Sequence, residues 1–380
     1  MNDTYNTRPF DHGGRAREGQ TDFSANISPL GVPDAVRAVL ADLAAGDGLA
    51  RYPDPDCGEL CAAIAAREGV PAERVLCGNG AADLIYRYAA AVKPERALVL
   101  QPTFSEYEKA LALTGCETEQ VLLRPENGFA WTEDLLTRLT PDLALFVFCS
   151  PNNPTGVSAP PDLLVTVLDR CAEQGIAVLW DASFLDFAET PEVYRGVMQG
   201  AWQKGQDLSV LNSFTKLYAL AGLRLGYFLT PEGDRSAAMQ AAGAPWTVST
   251  AAQKAGVAAL GCEDYADELR RYIATEKQFL TDGLEALGFR VLPADGDRAY
   301  VLPDANFFLL RTEREDLADT LEEHCDIVLR RAETFPGLDA HFVRIAVRTH
   351  DENTNLLNAL KEVLTHGKMR NLRQGCHFRY

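Results

Sequence analysis

One lysine sits among residues that suit covalent chemistry. In Leu211–Tyr227, LNSFTKLYALAGLRLGY, Lys216 lies among hydroxyl-bearing residues, and Arg224 follows eight positions later. A lysine amine is a weak nucleophile while protonated, but surroundings that favour its neutral form let it condense with an aldehyde cofactor. Ser213 and Thr215 can donate hydroxyl hydrogen bonds to a phosphate, and Arg224 adds a planar, permanently charged donor. An aldehyde and a phosphate on one small molecule describe pyridoxal 5'-phosphate. The segment therefore reads as a turn that carries the cofactor's lysine and feeds a strand over Leu223–Thr230. Spacing alone leaves a plainer reading open, a surface lysine before a strand.

The stretch resembles the lysine segment of the aspartate aminotransferase superfamily, the fold type I pyridoxal-phosphate enzymes. The resemblance runs in order from His12 to about Leu364. Within the superfamily the sequence is similar first to the threonine-phosphate decarboxylases of cobalamin biosynthesis, then to the histidinol-phosphate aminotransferases. It implies an α/β fold with a mostly parallel seven-stranded sheet in a large domain (46–264). A smaller, discontinuous α/β domain takes 1–45 and 265–365, and 366–380 reads as a flexible tail.

The resemblance also implies roles for single residues. After a short strand, Gly80, Ala81 and Ala82 begin a helix whose first N–H groups suit a phosphate. Relatives often carry polar side chains there, so Ala81-Ala82 leaves the contact to backbone. The turn is neither GxGxxG nor a P-loop, and gives no case for NAD or ATP. Phe104 lies against the cofactor ring, and Tyr107 lines the substrate side. Asn153, in Asn152-Asn153-Pro154-Thr155-Gly156, bonds the ring hydroxyl. Asp181, ending a buried strand, keeps the ring nitrogen protonated so that the ring accepts electrons. Phe184 stands where many aminotransferases have a tyrosine, as it does in the decarboxylases. Tyr52 crosses a homodimer interface to the neighbour's cofactor phosphate.

On the substrate side, His12 and Arg15 flank two glycines in a leader that the decarboxylases place near a phosphate, with asparagine where this chain has Arg15. Asn26 follows that leader, and Trp246 covers the pocket. Arg344 clamps the substrate carboxylate, and Arg348, four residues on, should face the same side of the strand and is a candidate for substrate recognition or local support. Arg330 adds charge at the mouth. The expected substrate is a small phosphorylated or carboxylate-bearing amino acid. The expected activity is decarboxylation of O-phospho-L-threonine to (R)-1-aminopropan-2-yl phosphate, with Lys216 supplying a proton to Cα. An aminotransferase acting on histidinol phosphate or another amino acid keeps nearly every residue, and is the first alternative. A noncatalytic interaction protein is the second.

These residues need a scaffold, and alternating strands and helices across Val75–Thr230 supply one, an α/β layer with most strands parallel. The candidate ligands follow strand ends, where open α/β sheets place ligands. Tyr265–Ala286 reads as one long helix, followed by strands at 288–291, 306–311 and 343–347 and helices at 316–325 and 351–364.

Composition narrows the function classes. Acidic residues outnumber basic ones by 54 to 36, a formal charge of −18 that disfavours nonspecific binding to nucleic acid or anionic membranes. No apolar run is long enough for a membrane span, and the polar start lacks a secretion signal, so the expectation is a cytoplasmic protein. The nine cysteines form no CxxC pair and read as reduced and structural, with Cys376 the most exposed. His366 and His377 lack a third ligand, so no metal is expected.

Overall fold

Seven apolar segments pair into one sheet in the computed structural model, which describes residues 12–231, 234–293 and 295–366. The expected tail, with Cys376, His377 and the His366 side chain, lies outside the described residues. The strand order is Val75–Gly78, Gly226–Leu229, Leu208–Ser213, Ala177–Asp181, Leu145–Cys149, Arg96–Gln101, Glu117–Leu122. All neighbours run parallel except Gly226–Leu229, which is antiparallel to both of its partners. Leu145–Cys149, Ala177–Asp181 and Leu208–Ser213 are buried at every position, as strands covered on both faces must be. Their side chains feed an aromatic core in which Trp131, Phe148 and Trp180 follow one another at ring separations of 5.0 and 5.6 Å.

A second sheet orders Arg330–Arg331, Phe342–Ala346, Phe307–Arg311, Ala299–Tyr300 and Arg290–Val291. Beside it, Thr21–Asp22 pairs in parallel with Ile327–Val328. Further bonds run from Phe23 N to Val328 O at 2.9 Å and from Ala346 N to Phe23 O at 2.9 Å. The Asp34–Ala45 helix instead packs on the Thr250–Leu260 helix.

Three elements escape a reading by periodicity. Leu208–Ser213, the strand that delivers Lys216, is a short apolar run with no clear alternation. Two glycines interrupt the Pro191–Gln203 helix, and alanines blur the apolar stripe of Thr250–Leu260. Around Lys216 the expected turn is a four-residue helix, Phe214–Leu217, started by Ser213 Oγ accepting from Thr215 N at 3.1 Å. The strand after it is shorter than expected, Gly226–Leu229. No described helix is long and apolar enough to cross a membrane, and no group of three or more metal-ligating side chains occurs among the described residues.

Candidate active site

The parallel strands end together, so Gln101, Cys149, Asp181 and Ser213 bring their following loops to one edge of the sheet. Lys216 is partly buried. Its amine is deep enough that burial presses it down to about 8, with the Arg344 and Arg224 charges acting the same way and Asp181 and Asp22 opposing. An amine held there gives up its proton far more readily than a surface lysine.

Asp181 is 5% exposed, and burial raises its carboxyl above the usual range against hydrogen bonds from Ser183 and Tyr107 and the charge of Lys216. Ser183 N donates to Oδ1 at 2.9 Å and Tyr107 Oη to Oδ2 at 2.5 Å. Tyr107, expected along the substrate side, is therefore committed to Asp181 and is 1% exposed. The first turn of the Glu106–Leu113 helix points it inward, and its ring meets Phe104 edge-on at 5.8 Å. Phe184 is buried, edge-on to Phe307 at 5.1 Å.

The phosphate end has its own geometry. Gly80 opens the Gly80–Val92 helix at φ +82°, and a Cβ there would lie 2.6 Å from Arg224 Nη2. Only glycine combines that backbone with so close a guanidinium. Arg224 is itself left-handed at φ +54° and donates to Ala221 O at 3.3 Å. Asn79 has no side-chain cap to offer the helix, so the N–H groups of Ala81 and Ala82 face out of the first turn without one.

At the substrate end, Arg344 Nη2 donates to Ser24 O at 2.6 Å, Nη1 bonds Asn153 Oδ1, and the guanidinium lies over the Phe307 ring at 5.2 Å. Arg330 stands directly opposite Arg344 in the strand ladder, donates to Thr334 Oγ1 at 2.8 Å and lies 5.1 Å from the Phe335 ring centroid. Two buried guanidiniums facing each other repel, and an anion between them relieves that. Burial and Arg330 both press against the Arg344 charge, which guanidinium basicity nevertheless keeps. Of the two roles open to Arg348, the structure shows local support. The strand stops at Ala346, and Arg348 turns to Glu352 at 2.9 Å, bracing the start of the last helix rather than facing substrate.

The leader is stitched beside Arg344. Gly14 N donates to Ser24 Oγ at 2.8 Å, and Gly13 runs so close that a Cβ would fall 2.1 Å from Ser24 O. His12 Nε2 lies 3.1 Å from Glu106 Oε1 and its ring 5.4 Å from that of Phe104. Arg15 is on the exposed part of this loop. Asn26 is 1% exposed, and neither amide atom of its side chain has a hydrogen-bond partner among the described residues. Trp246, expected over the pocket, lies against Tyr52 with ring centres 4.9 Å apart, both rings on the surface of the single chain. Sequence reasoning missed Glu106, Ser24 and Phe307, which reach the site only through contacts between distant segments.

The donor set fits pyridoxal 5'-phosphate. It offers an amine of lowered basicity, a buried carboxylate whose own environment disfavours its charge, and a glycine-lined turn under an arginine. Ser213, Thr215, Arg224 and the Ala81 and Ala82 N–H groups would hold its phosphate, Asp181 its ring nitrogen and Lys216 its aldehyde.

Comparison with known proteins follows the same lines. Residues 18–360 match the family described as Aminotransferase class I and II. The chain is 37% identical over 370 residues to threonine-phosphate decarboxylase from Salmonella typhimurium, covering 93% of this chain and 96% of that protein. It is 31% identical over 352 residues to histidinol-phosphate aminotransferase from Nitratidesulfovibrio vulgaris, covering 90% and 88%. A solved histidinol-phosphate aminotransferase from Clostridium acetobutylicum aligns with TM-score 0.81 at 27% identity, over 90% of this chain and 99% of that one.

Proposed function

The chain belongs to the class I and II aminotransferase family, and from that membership we propose that it decarboxylates O-phospho-L-threonine to (R)-1-aminopropan-2-yl phosphate and carbon dioxide. It is a pyridoxal 5'-phosphate enzyme. When bound, the cofactor supplies an electron-withdrawing ring conjugated to the substrate's Cα. Arg344, supported by Arg330, holds the substrate carboxylate, and His12 at the edge of the same cleft takes the phosphate. Lys216 holds the proton that Cα gains as the carboxylate leaves.

The observation that carries this reading is the tie between the two anion sites. Ser24 receives Arg344 on its carbonyl and Gly14 N on its hydroxyl, at 2.6 and 2.8 Å. One short segment thus spaces a carboxylate clamp from a phosphate-binding leader, which suits a small amino acid bearing both. Binding energy from the phosphate then orients the bond to be broken. The likeness to histidinol-phosphate aminotransferases supports a second reading, amino transfer from a phosphorylated amine. We read the working unit as a homodimer, on the exposure of the Tyr52–Trp246 pair. The domain division and the residue roles set out above are part of the same proposal.

The deciding experiment incubates the cofactor-loaded protein with O-phospho-L-threonine, with and without a keto-acid acceptor, and follows carbon dioxide and amino transfer separately. Carbon dioxide release independent of the acceptor is the expected result. Acceptor-dependent turnover with no carbon dioxide would hand the case to the aminotransferase.

A further inference from the structure

Glu106 has no role in the reading so far, yet its carboxylate gathers hydrogen bonds from several side chains around His12. Its carboxylate accepts from His12 Nε2 at 3.1 Å, Lys109 Nζ at 2.7 Å and Tyr86 Oη at 2.8 Å. The bond from His12 first, then those from Lys109 and Tyr86, hold its carboxyl down to about 2 although burial opposes them. An ionised carboxylate can only accept, so the hydrogen between it and the imidazole belongs to Nε2. Nδ1 is then an acceptor in the neutral ring and a donor in the protonated one. A fully ionised phosphate offers acceptors alone, so it takes a hydrogen bond from Nδ1 only when that nitrogen carries a hydrogen. The His12 ring is 5.4 Å from Phe104, which in turn meets Tyr107, the donor to Asp181.

We propose that Glu106 is a positioning residue for substrate selection, holding the His12 ring by Nε2 so that Nδ1 is left to meet the phosphate of the amino acid; this rests on the reading of His12 given above. Four side chains, His12, Lys109, Tyr86 and, more distantly, Ser105 at 3.4 Å, already bond the Glu106 carboxylate, so its charge is spent locally. Lys109 offsets the Glu106 charge at 2.7 Å, so a phosphate at His12 does not meet an uncompensated carboxylate. An amino acid without a phosphate gains nothing from the arrangement.

The test uses the cofactor-loaded protein as wild type, Glu106→Gln, His12→Ala and the double variant. Each is titrated with inorganic phosphate by calorimetry and assayed for kcat and KM on O-phospho-L-threonine. Glutamine keeps the shape of the side chain, and melting curves check that each variant is folded. Glu106→Gln is expected to weaken phosphate binding and raise KM by about tenfold, the scale of one charge-assisted hydrogen bond, while kcat stays within about twofold. The double variant should be no worse than His12→Ala, because Glu106 acts through the imidazole. Unchanged phosphate affinity in Glu106→Gln, or additive losses in the double variant, overturns the proposal. If phosphate affinity depends on Glu106 while wild type releases neither carbon dioxide nor an amino group from O-phospho-L-threonine, the decarboxylase reading falls and the role of Glu106 stands.

Discussion

Lys216 sits where its own charge is unwelcome, and that has a measurable sign in the cofactor-free protein. Its folded value of about 8 lies below the ordinary lysine value near 10.4. Below pH 8 the buried amine is charged and destabilises the fold by up to about 3 kcal/mol. Between the two values the unfolded chain binds the extra proton, so stability rises with pH across that window. Lys216→Met should therefore melt higher than wild type at pH 7, with the gap closing toward pH 10. A gap that does not change with pH rules the argument out. Asp181 was legible in sequence because it ends an apolar strand, and Lys216 because Ser213, Thr215 and Arg224 surround it. Glu106 was not, because nothing local pairs it with a histidine 94 positions away. The two roles of Arg348 could not be told apart for a related reason: the side it faces depended on where a strand ended.

At the scale of elements, the site depends on a helix start that no side chain caps. Gly80 lets that turn approach Arg224, and alanine there meets both a positive φ and a guanidinium 2.6 Å from the new methyl group. Arginine can swing aside cheaply, but it then leaves the phosphate position. Gly80→Ala should cost about 1 kcal/mol in stability from the backbone and weaken pyridoxal 5'-phosphate binding about tenfold or more. Equilibrium dialysis of the cofactor measures this, and a variant that retains wild-type affinity contradicts the assignment of the turn. The alternation of strands and helices was readable over most of Val75–Leu229, since buried parallel strands are short apolar runs set off by turn residues. Leu208–Ser213 and Thr250–Leu260 were not, because neither has a period that separates one face from the other.

Over the whole molecule, Tyr52 at 82% exposure and Trp246 at 48% form an aromatic patch on a strongly acidic surface. Light scattering should give about twice 41.6 kDa, and Trp246→Ser should weaken the pair about tenfold or more. Because each copy carries a formal charge of −18, added salt should tighten the dimer. A monomer at every salt concentration excludes this surface as the contact. Legibility at this scale was mixed: the two-sheet plan came from likeness, whereas the packing of Asp34–Ala45 on Thr250–Leu260 had no signal in either segment. The Phe23–Ser24 strap has a consequence for biosynthesis. Ser24 waits for an arginine 320 positions further on, and Phe23 for Val328 and Ala346. Contacts of such separation form late. A chain emerging from the ribosome therefore builds its large sheet first and cannot complete the substrate end of the cleft until nearly all of it has been translated, so a nascent chain long enough to hold the cofactor's lysine should still lack its carboxylate clamp.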